Sequence, residues 1–304
     1  MRPVNAIVIL IHFVNAKLNL GLNIIRKRND GYHELETVFY PVGLYNGTPE
    51  NPEPFCDILE IVATDGDSDR FTFTGNPIDC SHENNLVCKA ASAFHEALKE
   101  TGSGKPCFDI RLEKHIPDGA GLGGGSADAS FTLRVLNKLC GNPFDHRQLI
   151  GIAAVLGADC PFFIENRPVL ASGIGEIMTP VGVNLEGYWA VIIKPDIYIS
   201  TREAFSGIRP KLPENVLVEI IEHPVEEWKD RGLGNDFEPH IFQLYPRLGS
   251  IKESLYENGA LYAAMSGSGS SLFGIFPDRE SALSAKLDAS NSTDYQNLTF
   301  ISKL

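Results

Sequence analysis

Apolar residues recur at strand spacing through the first third of the chain and at helical spacing after it. IVILIHFV, KLNLGLNII, ELETVFYPVGL, CDILEIVA and RFTFTG each read as strands. The apolar run that starts at Ala6 and continues through Leu10, Ile11 and Phe13 reads as a buried first strand. It is too short to cross a bilayer, which takes about 20 apolar residues. In the next stretch the two-residue period puts Lys17, Asn19 and Gly21 on one face and Leu18, Leu20 and Leu22 on the other. A polar row of that kind is either a solvated sheet face or a binding face. The turn signal at residues 28–31 places Tyr32 and His33 just beyond a tight reversal.

Residues 84–99 predict a helix with Leu86, Ala90, Ala93, Phe94 and Ala97 on its apolar stripe. A strand over 107–115, helices over 126–139 and 146–156, and the segment LGADCPFFI follow. Beyond Arg167 the pattern resets. WAVIIKP reads as a strand, a polar loop surrounds Ser200, helical stretches fall near 215–222 and 239–257, and AMSGSGSSLFGIF reads as a strand interrupted by small residues. A domain seam is expected at 165–170, dividing the chain into residues 1–166 and 167–304.

Between the strand at 107–115 and the helix at 126–139 lies KHIPDGAGLGGGSADAS, residues 114–130. Glycines without Cβ atoms let successive backbone N–H groups turn toward an anion, and the helix behind them offers its positive end. Phosphate binding is therefore the first expectation. No lysine follows the last glycine, so this is not a P-loop. Gly119, Gly121 and Gly124 satisfy a formal dinucleotide fingerprint, but the early βαβ unit that should accompany it is missing.

Composition narrows the partners. The net charge of −13 over 304 residues argues against nucleic acid or an anionic membrane, which call for a cationic face. Residues 15–33 are a basic exception, with Lys17, Arg26, Lys27 and Arg28 against Asp30 alone, as suits a polyphosphate substrate or merely a solvated strand end. The six cysteines form no CxxC pair and read as reduced thiols of a cytoplasmic protein. The eight histidines show no zinc spacing.

The loop PDGAGLGGGSADAS resembles the phosphate-binding motif of the GHMP kinases, the group that includes galactokinase and the homoserine and mevalonate kinases. NAKLNLGLNI with DGYHELETVF, then LGADCPFFI and SGSGSSLFGIF, are similar to the branch acting on a cytidine-diphosphate-linked methylerythritol in the non-mevalonate route to isoprenoid precursors. The resemblance runs from about residue 13 to 276. Three departures stand out: Val14 where proline is usual nearby, Ala127 where a second serine is common, and a start through Leu10 that is longer than the pattern.

The resemblance implies a two-domain α+β fold, with an S5 domain 2-like N-terminal domain and a ferredoxin-like C-terminal one, and the nucleotide between them. It implies γ-phosphoryl transfer from ATP, with Mg²⁺, to the 2-hydroxyl of the methylerythritol. Asp159 matches the catalytic aspartate that takes or orients the hydroxyl proton, and Lys17 the lysine that keeps it ionised. Asn19 would orient substrate hydroxyls, while Tyr32 and His33 would hold the cytosine, with Tyr198 or Phe205 on its other face. Gly121, Gly123, Gly124, Gly125 and Ser126 would wrap the phosphates, Ser126 being the candidate metal ligand. Asn85 and Lys114 would line the adenine side, although a helix cap explains Asn85 nearly as well. Gly267 and Gly269 would buttress the phosphate loop, or simply form a tight bend.

Rival expectations are another small-alcohol kinase of the group, a diphosphate decarboxylase of the same fold, and a nucleotide sensor without turnover. Tyr32 and His33 speak against the first, since homoserine and mevalonate have no base to stack. The joint presence of Lys17 and Asp159 speaks against the last. The sequence leaves the oligomeric state open.

Overall fold

The computed structural model describes residues 9–43, 55–78, 80–102, 104, 106–291 and 297–304. In chain order the elements are β1 (Ile9–Lys27), β2 (His33–Val42), β3 (Cys56–Thr64), β4 (Arg70–Gly75), α1 (Leu86–Glu100), β5 (Cys107–Lys114), α2 (Gly124–Leu139), α3 (His146–Leu156) and α4 (Cys160–Glu165). Then come β6 (Val169–Ser172), β7 (Ile177–Pro180), β8 (Trp189–Pro195), α5 (Thr201–Ser206), α6 (Leu217–Ile221), α7 (Glu238–Leu244), α8 (Pro246–Glu257), β9 (Tyr262–Met265), β10 (Leu272–Phe276), α9 (Arg279–Asn291) and β11 (Asn297–Lys303). The fold is α+β, as the resemblance implies.

The chain forms two compact units and crosses between them repeatedly. Residues 1–15, 56–118 and 124–166 make the first, and residues 16–55, 119–123 and 167–304 the second. The crossing at Asn166 and Arg167 is thus one of several.

In the first unit, β3 pairs antiparallel with β5 and with β1 as far as Asn15, and β4 joins β5 in parallel. Leu59, Ile61, Phe108, Ile110 and Leu112 alternate onto the buried face, where α1 and α2 pack. Here the expectation of a buried first strand is corrected: Ile9 and Ile11 are 53% and 55% exposed, and Phe13 is 37% exposed. Ala6, where the predicted run begins, lies outside the described residues.

In the second unit, β1 from Ala16 onward pairs with β2, which pairs with β6, and β6 with β7. Residues 9–14 of the first run and KLNLGLNII, read as two strands, are therefore parts of one, while Ile7 and Val8 lie outside the described residues. The polar row at Lys17 and Asn19 is not solvated, since the two residues are 4% and 3% exposed. A second sheet runs β11-β8-β10-β9, with α8 against β9 and β10 and α9 against β8 and β11. The helical stretch at 239–257 is two helices, because Pro246 cannot supply the N–H that a continuous helix needs at that point.

Candidate active site

In the second unit Lys17 and Asn19 sit on the same face of β1, and Lys17 Nζ donates to Asn19 Oδ1 at 2.7 Å. The amide of Asn19 donates to Thr37 Oγ1 at 2.9 Å, and Thr37 in turn donates to the Gly21 carbonyl at 2.6 Å. The Lys17 ammonium also lies 4.6 Å from the centre of the Phe39 ring. These partners hold a buried cation in one orientation. Gly21, at φ +74°, marks the register shift in the pairing of β1 with β2; a Cβ there would stand 2.6 Å from Leu233.

The glycine loop 119–123 packs on the same strand: the Lys17 N–H donates to the Leu122 carbonyl at 2.9 Å. Behind it lies the small-residue turn after β9. Ser266 Oγ donates to the Gly121 carbonyl at 2.9 Å, and the Ser271 N–H to the Ala120 carbonyl at 3.3 Å. Gly121 has φ +75°, and a Cβ on it would come within 2.1 Å of the Ser266 carbonyl oxygen. Only glycine fits there. Gly267 and Gly269 both approach Gly121, so this unit brings together Lys17, Asn19, Gly121, Gly267 and Gly269.

A second patch of the same unit carries Tyr32, His33 and Phe205. Asp30 accepts the Tyr32 N–H at 3.1 Å in the turn, leaving the Tyr32 side chain 61% exposed. His33 stacks on Phe205 with ring centres 4.7 Å apart. Burial, aided by the Lys27 charge, holds the His33 imidazole below its ordinary pKa, so it is neutral at pH 7. Tyr198, also 73% exposed, rests its ring edge against Gly119 instead. The nearby basic island is partly neutralised, with Arg26 paired to Glu34 and Arg28 to Asp30.

In the first unit the predicted residues gather around the N-terminus of α2. Its opening turn, Gly124, Gly125 and Ser126, presents backbone N–H groups that lack intrahelical partners. The Leu86 side chain faces Gly125, and the preceding Asn85 caps α1 by accepting the Val87 N–H at 2.8 Å. A cleft beside it is lined by Phe73, Asn76, Pro77, Ile78, His82 and Asn85.

Asp159 stands at the N-cap position of α4, where its side chain makes no capping hydrogen bond. The next residue, Cys160, ties that turn to α2: Ser130 Oγ donates to the Cys160 carbonyl at 2.8 Å. The Cys160 thiol is pushed up to about 11 by burial, against a hydrogen bond with Ser126. Asp159 and Ser126 are thereby fixed to one scaffold.

Lys114 is 4% exposed and lies under Gly124, held by Asp57 and by Asp128 at 2.7 Å. Asp57 also accepts the N–H groups of His115 and Ile116, at 2.6 and 2.8 Å. Burial disfavours the Lys114 charge, but the two carboxylates outweigh that and raise its pKa. Burial raises the pKa of Asp128 well above the carboxylate range, and the Asp57 charge adds to this against the opposing Lys114.

Sequence reasoning missed Thr37, the Asp57–Lys114–Asp128 cluster, and the segment Gly234–Asn235–Asp236. The last carried a signal, a Gly-Asn-Asp turn signature. The others are single residues inside strands and helices, where nothing local marks them.

Residues 85–167 match the family model for the GHMP kinases N terminal domain, and residues 218–292 the model for GHMP kinases C terminal. A Parabacteroides distasonis protein named 4-diphosphocytidyl-2-C-methyl-D-erythritol kinase is 50% identical over 267 residues, covering 88% of this chain and 92% of its own. A Bacteroides fragilis protein of the same name is 49% identical over 273 residues, covering 89% and 93%. A crystal structure of a 4-(cytidine 5'-diphospho)-2C-methyl-D-erythritol kinase superposes with a TM-score of 0.76 at 29% identity, covering 97% of this chain and all of that one. The chain therefore belongs to the GHMP kinases and, within them, to the family of 4-diphosphocytidyl-2-C-methyl-D-erythritol kinases.

Proposed function

We propose that the protein transfers the γ-phosphoryl group of ATP to the 2-hydroxyl of 4-(cytidine 5'-diphospho)-2-C-methyl-D-erythritol, releasing ADP, as a cytoplasmic enzyme of isoprenoid precursor synthesis. In this reading residues 1–166 form the ATP-binding domain and residues 167–304 the C-terminal domain. The observation that carries it is the near-half identity to relatives of that name over about nine-tenths of both chains. The aromatic patch supports it: a cytosine can stack where Tyr32 is exposed and Phe205 already lies against His33. A neutral imidazole can donate one hydrogen bond and accept another at the base edge. Phe205 thus takes the role left open between it and Tyr198.

The transfer needs positioning and charge neutralisation more than covalent chemistry. The acceptor O–H bond breaks as its oxygen bonds to the γ-phosphorus, and the bond to the β–γ bridging oxygen breaks, leaving ADP. Asp159 takes the hydroxyl proton, and Lys17 stabilises the charge on the transferring group. Asn19 fixes the lysine and the substrate hydroxyls.

Gly121, Gly123, Gly124, Gly125 and Ser126 bind the phosphates through backbone N–H groups, backed by Gly267 and Gly269. In this reading Asn85 borders the adenine cleft, whereas Lys114, expected to line it too, is instead buried beneath Gly124 between Asp57 and Asp128 and is not among the residues lining the cleft. Among the described residues no group of three or more acidic, histidine or cysteine side chains could form a protein cage for a metal. Mg²⁺ keeps waters and phosphate oxygens and takes few protein ligands. Ser126 would be one, and the bound ion would neutralise phosphate charge.

The test is ADP release from ATP and Mg²⁺ with and without the cytidine-diphosphate substrate, with homoserine and mevalonate as comparison acceptors. Release only with the cytidine compound is expected. Release with another acceptor alone overturns the substrate assignment.

A further inference from the structure

Gly234–Asn235–Asp236–Phe237–Glu238 has none of the roles assigned above, yet its polar atoms clamp two elements of the site. On one side it runs beside β1. The Leu22 N–H donates to the Gly234 carbonyl at 2.8 Å, the Asp236 N–H to the Leu22 carbonyl at 2.9 Å, and the Ile24 N–H to Asp236 Oδ2 at 2.7 Å. On the other side it grips the turn after β9. The Asn235 amide donates to the Met265 carbonyl at 2.7 Å and to the Gly267 carbonyl at 2.8 Å, while Glu238 Oε1 accepts the Met265 N–H at 2.8 Å. Lys252 holds the other Glu238 oxygen at 2.6 Å. Asn235 and Glu238 are 5% and 7% exposed, so water does not substitute for these bonds.

The residue between the two gripped carbonyls is Ser266. Its Oγ meets the Gly121 carbonyl at 2.9 Å and Asn19 at 3.4 Å. A backbone shift at 265–267 therefore moves the support of the glycine loop and the neighbour of the Lys17–Asn19 pair together. The chemistry at position 235 is narrow. Two converging carbonyls need two N–H donors on one short side chain, while the Phe237 N–H, at 3.0 Å, needs an acceptor on the same group. Asparagine supplies both, whereas aspartate would face two carbonyl oxygens with a charge.

We propose that Asn235, with Glu238 as its second anchor, is a positioning residue for phosphoryl transfer. It fixes residues 265–267 so that Ser266 holds Gly121 in its nucleotide-binding conformation. The proposal rests on the kinase reading above, and nucleotide affinity tests it separately.

Asn235→Ala leaves two buried carbonyls unpaired and lowers stability, so a comparison variant of similar cost is needed. Leu255→Ala on α8, a core truncation against Gly274, provides it. Both are assayed well below their melting temperatures for affinity toward a fluorescent ATP analogue and for kcat per folded molecule. Asn235→Ala should weaken nucleotide binding severalfold and lower kcat by roughly ten- to a hundredfold, the scale of a small misplacement. Leu255→Ala should change neither. Equal behaviour of the two variants overturns the proposal. If Asn235→Ala does not fold, Ser266→Ala cuts the same relay one step later while leaving the clamp intact. Wild-type nucleotide affinity in that variant overturns the proposal too. A wild type that binds the analogue but ignores the cytidine substrate refutes the substrate reading alone.

Discussion

The ammonium of Lys17 and the side-chain oxygen of Asn19 meet at 2.7 Å, two positions apart on one strand face and both nearly sealed from solvent. Asn19 is itself anchored by Thr37, whose hydroxyl is committed to the Gly21 carbonyl. The lysine's direction is thus set by a chain of hydrogen bonds ending on the backbone, and ordering it at the moment of reaction costs little.

Asn19→Ala should therefore act on turnover more than on binding. Removing the anchor frees a flexible side chain, and kcat should fall by about ten- to a hundredfold. Thr37→Val, which cuts the chain one step earlier, should give a smaller loss of the same kind. Steady-state kinetics with both substrates varied decides it. A rise in KM with unchanged kcat would make Asn19 a binding group only.

Asp159→Asn keeps the shape of the turn before α4 and removes the proposed proton acceptor. General-base work is worth about 10²–10⁴ in rate, so kcat should drop by that order. Affinity for ATP should stay within about twofold, since the proposed phosphate cradle is made of backbone N–H groups of another segment. A variant with near wild-type kcat would reduce Asp159 to an orienting group.

Acid should weaken recognition of the base before it affects the phosphates. Burial keeps the His33 pKa below its usual value of about 6.5, so the neutral ring persists through neutral pH and is lost only in more acidic solution. If His33 reads the cytosine edge, KM for the cytidine substrate should rise as pH falls below the ordinary histidine value, whereas KM for ATP should not follow it. His33→Gln keeps a donor and an acceptor and should flatten that rise. If it persists in the variant, another group titrates.

The elements that carry the proposed site were legible where the pattern is local. The strand carrying Lys17 and Asn19, the glycine loop, and the helix behind it all follow from alternation, glycine content and helical period. What was not legible depends on distant pairing. β1 crosses both units as one strand because residues 9–15 find β3 and residues 16–27 find β2, which no window along the chain reveals. Likewise the lysine that ends a strand looks exposed until Asp57 and Asp128, 57 and 14 residues away, close on it. β6, β7 and β11 were missed because they are short or polar runs that pair only in the fold.

Two carboxylates share one buried ammonium, and burial together with the Asp57 charge lifts the Asp128 pKa. Lys114→Met leaves both acids without their cation and should cost about 3–5 kcal/mol of stability. Asp128→Asn should do the opposite. A carboxyl whose pKa is higher folded than unfolded adds its full stabilisation below the ordinary carboxylate value of about 3.9 and loses it as pH rises through the folded value. The asparagine keeps an acceptor for Lys114 and has no proton to lose. The melting temperature of Asp128→Asn should therefore gain on wild type as pH is raised from about 4 to 8. Thermal unfolding across that range measures it, and a gap that stays constant or reverses would mean that Asp128 is held ionised by Lys114 throughout.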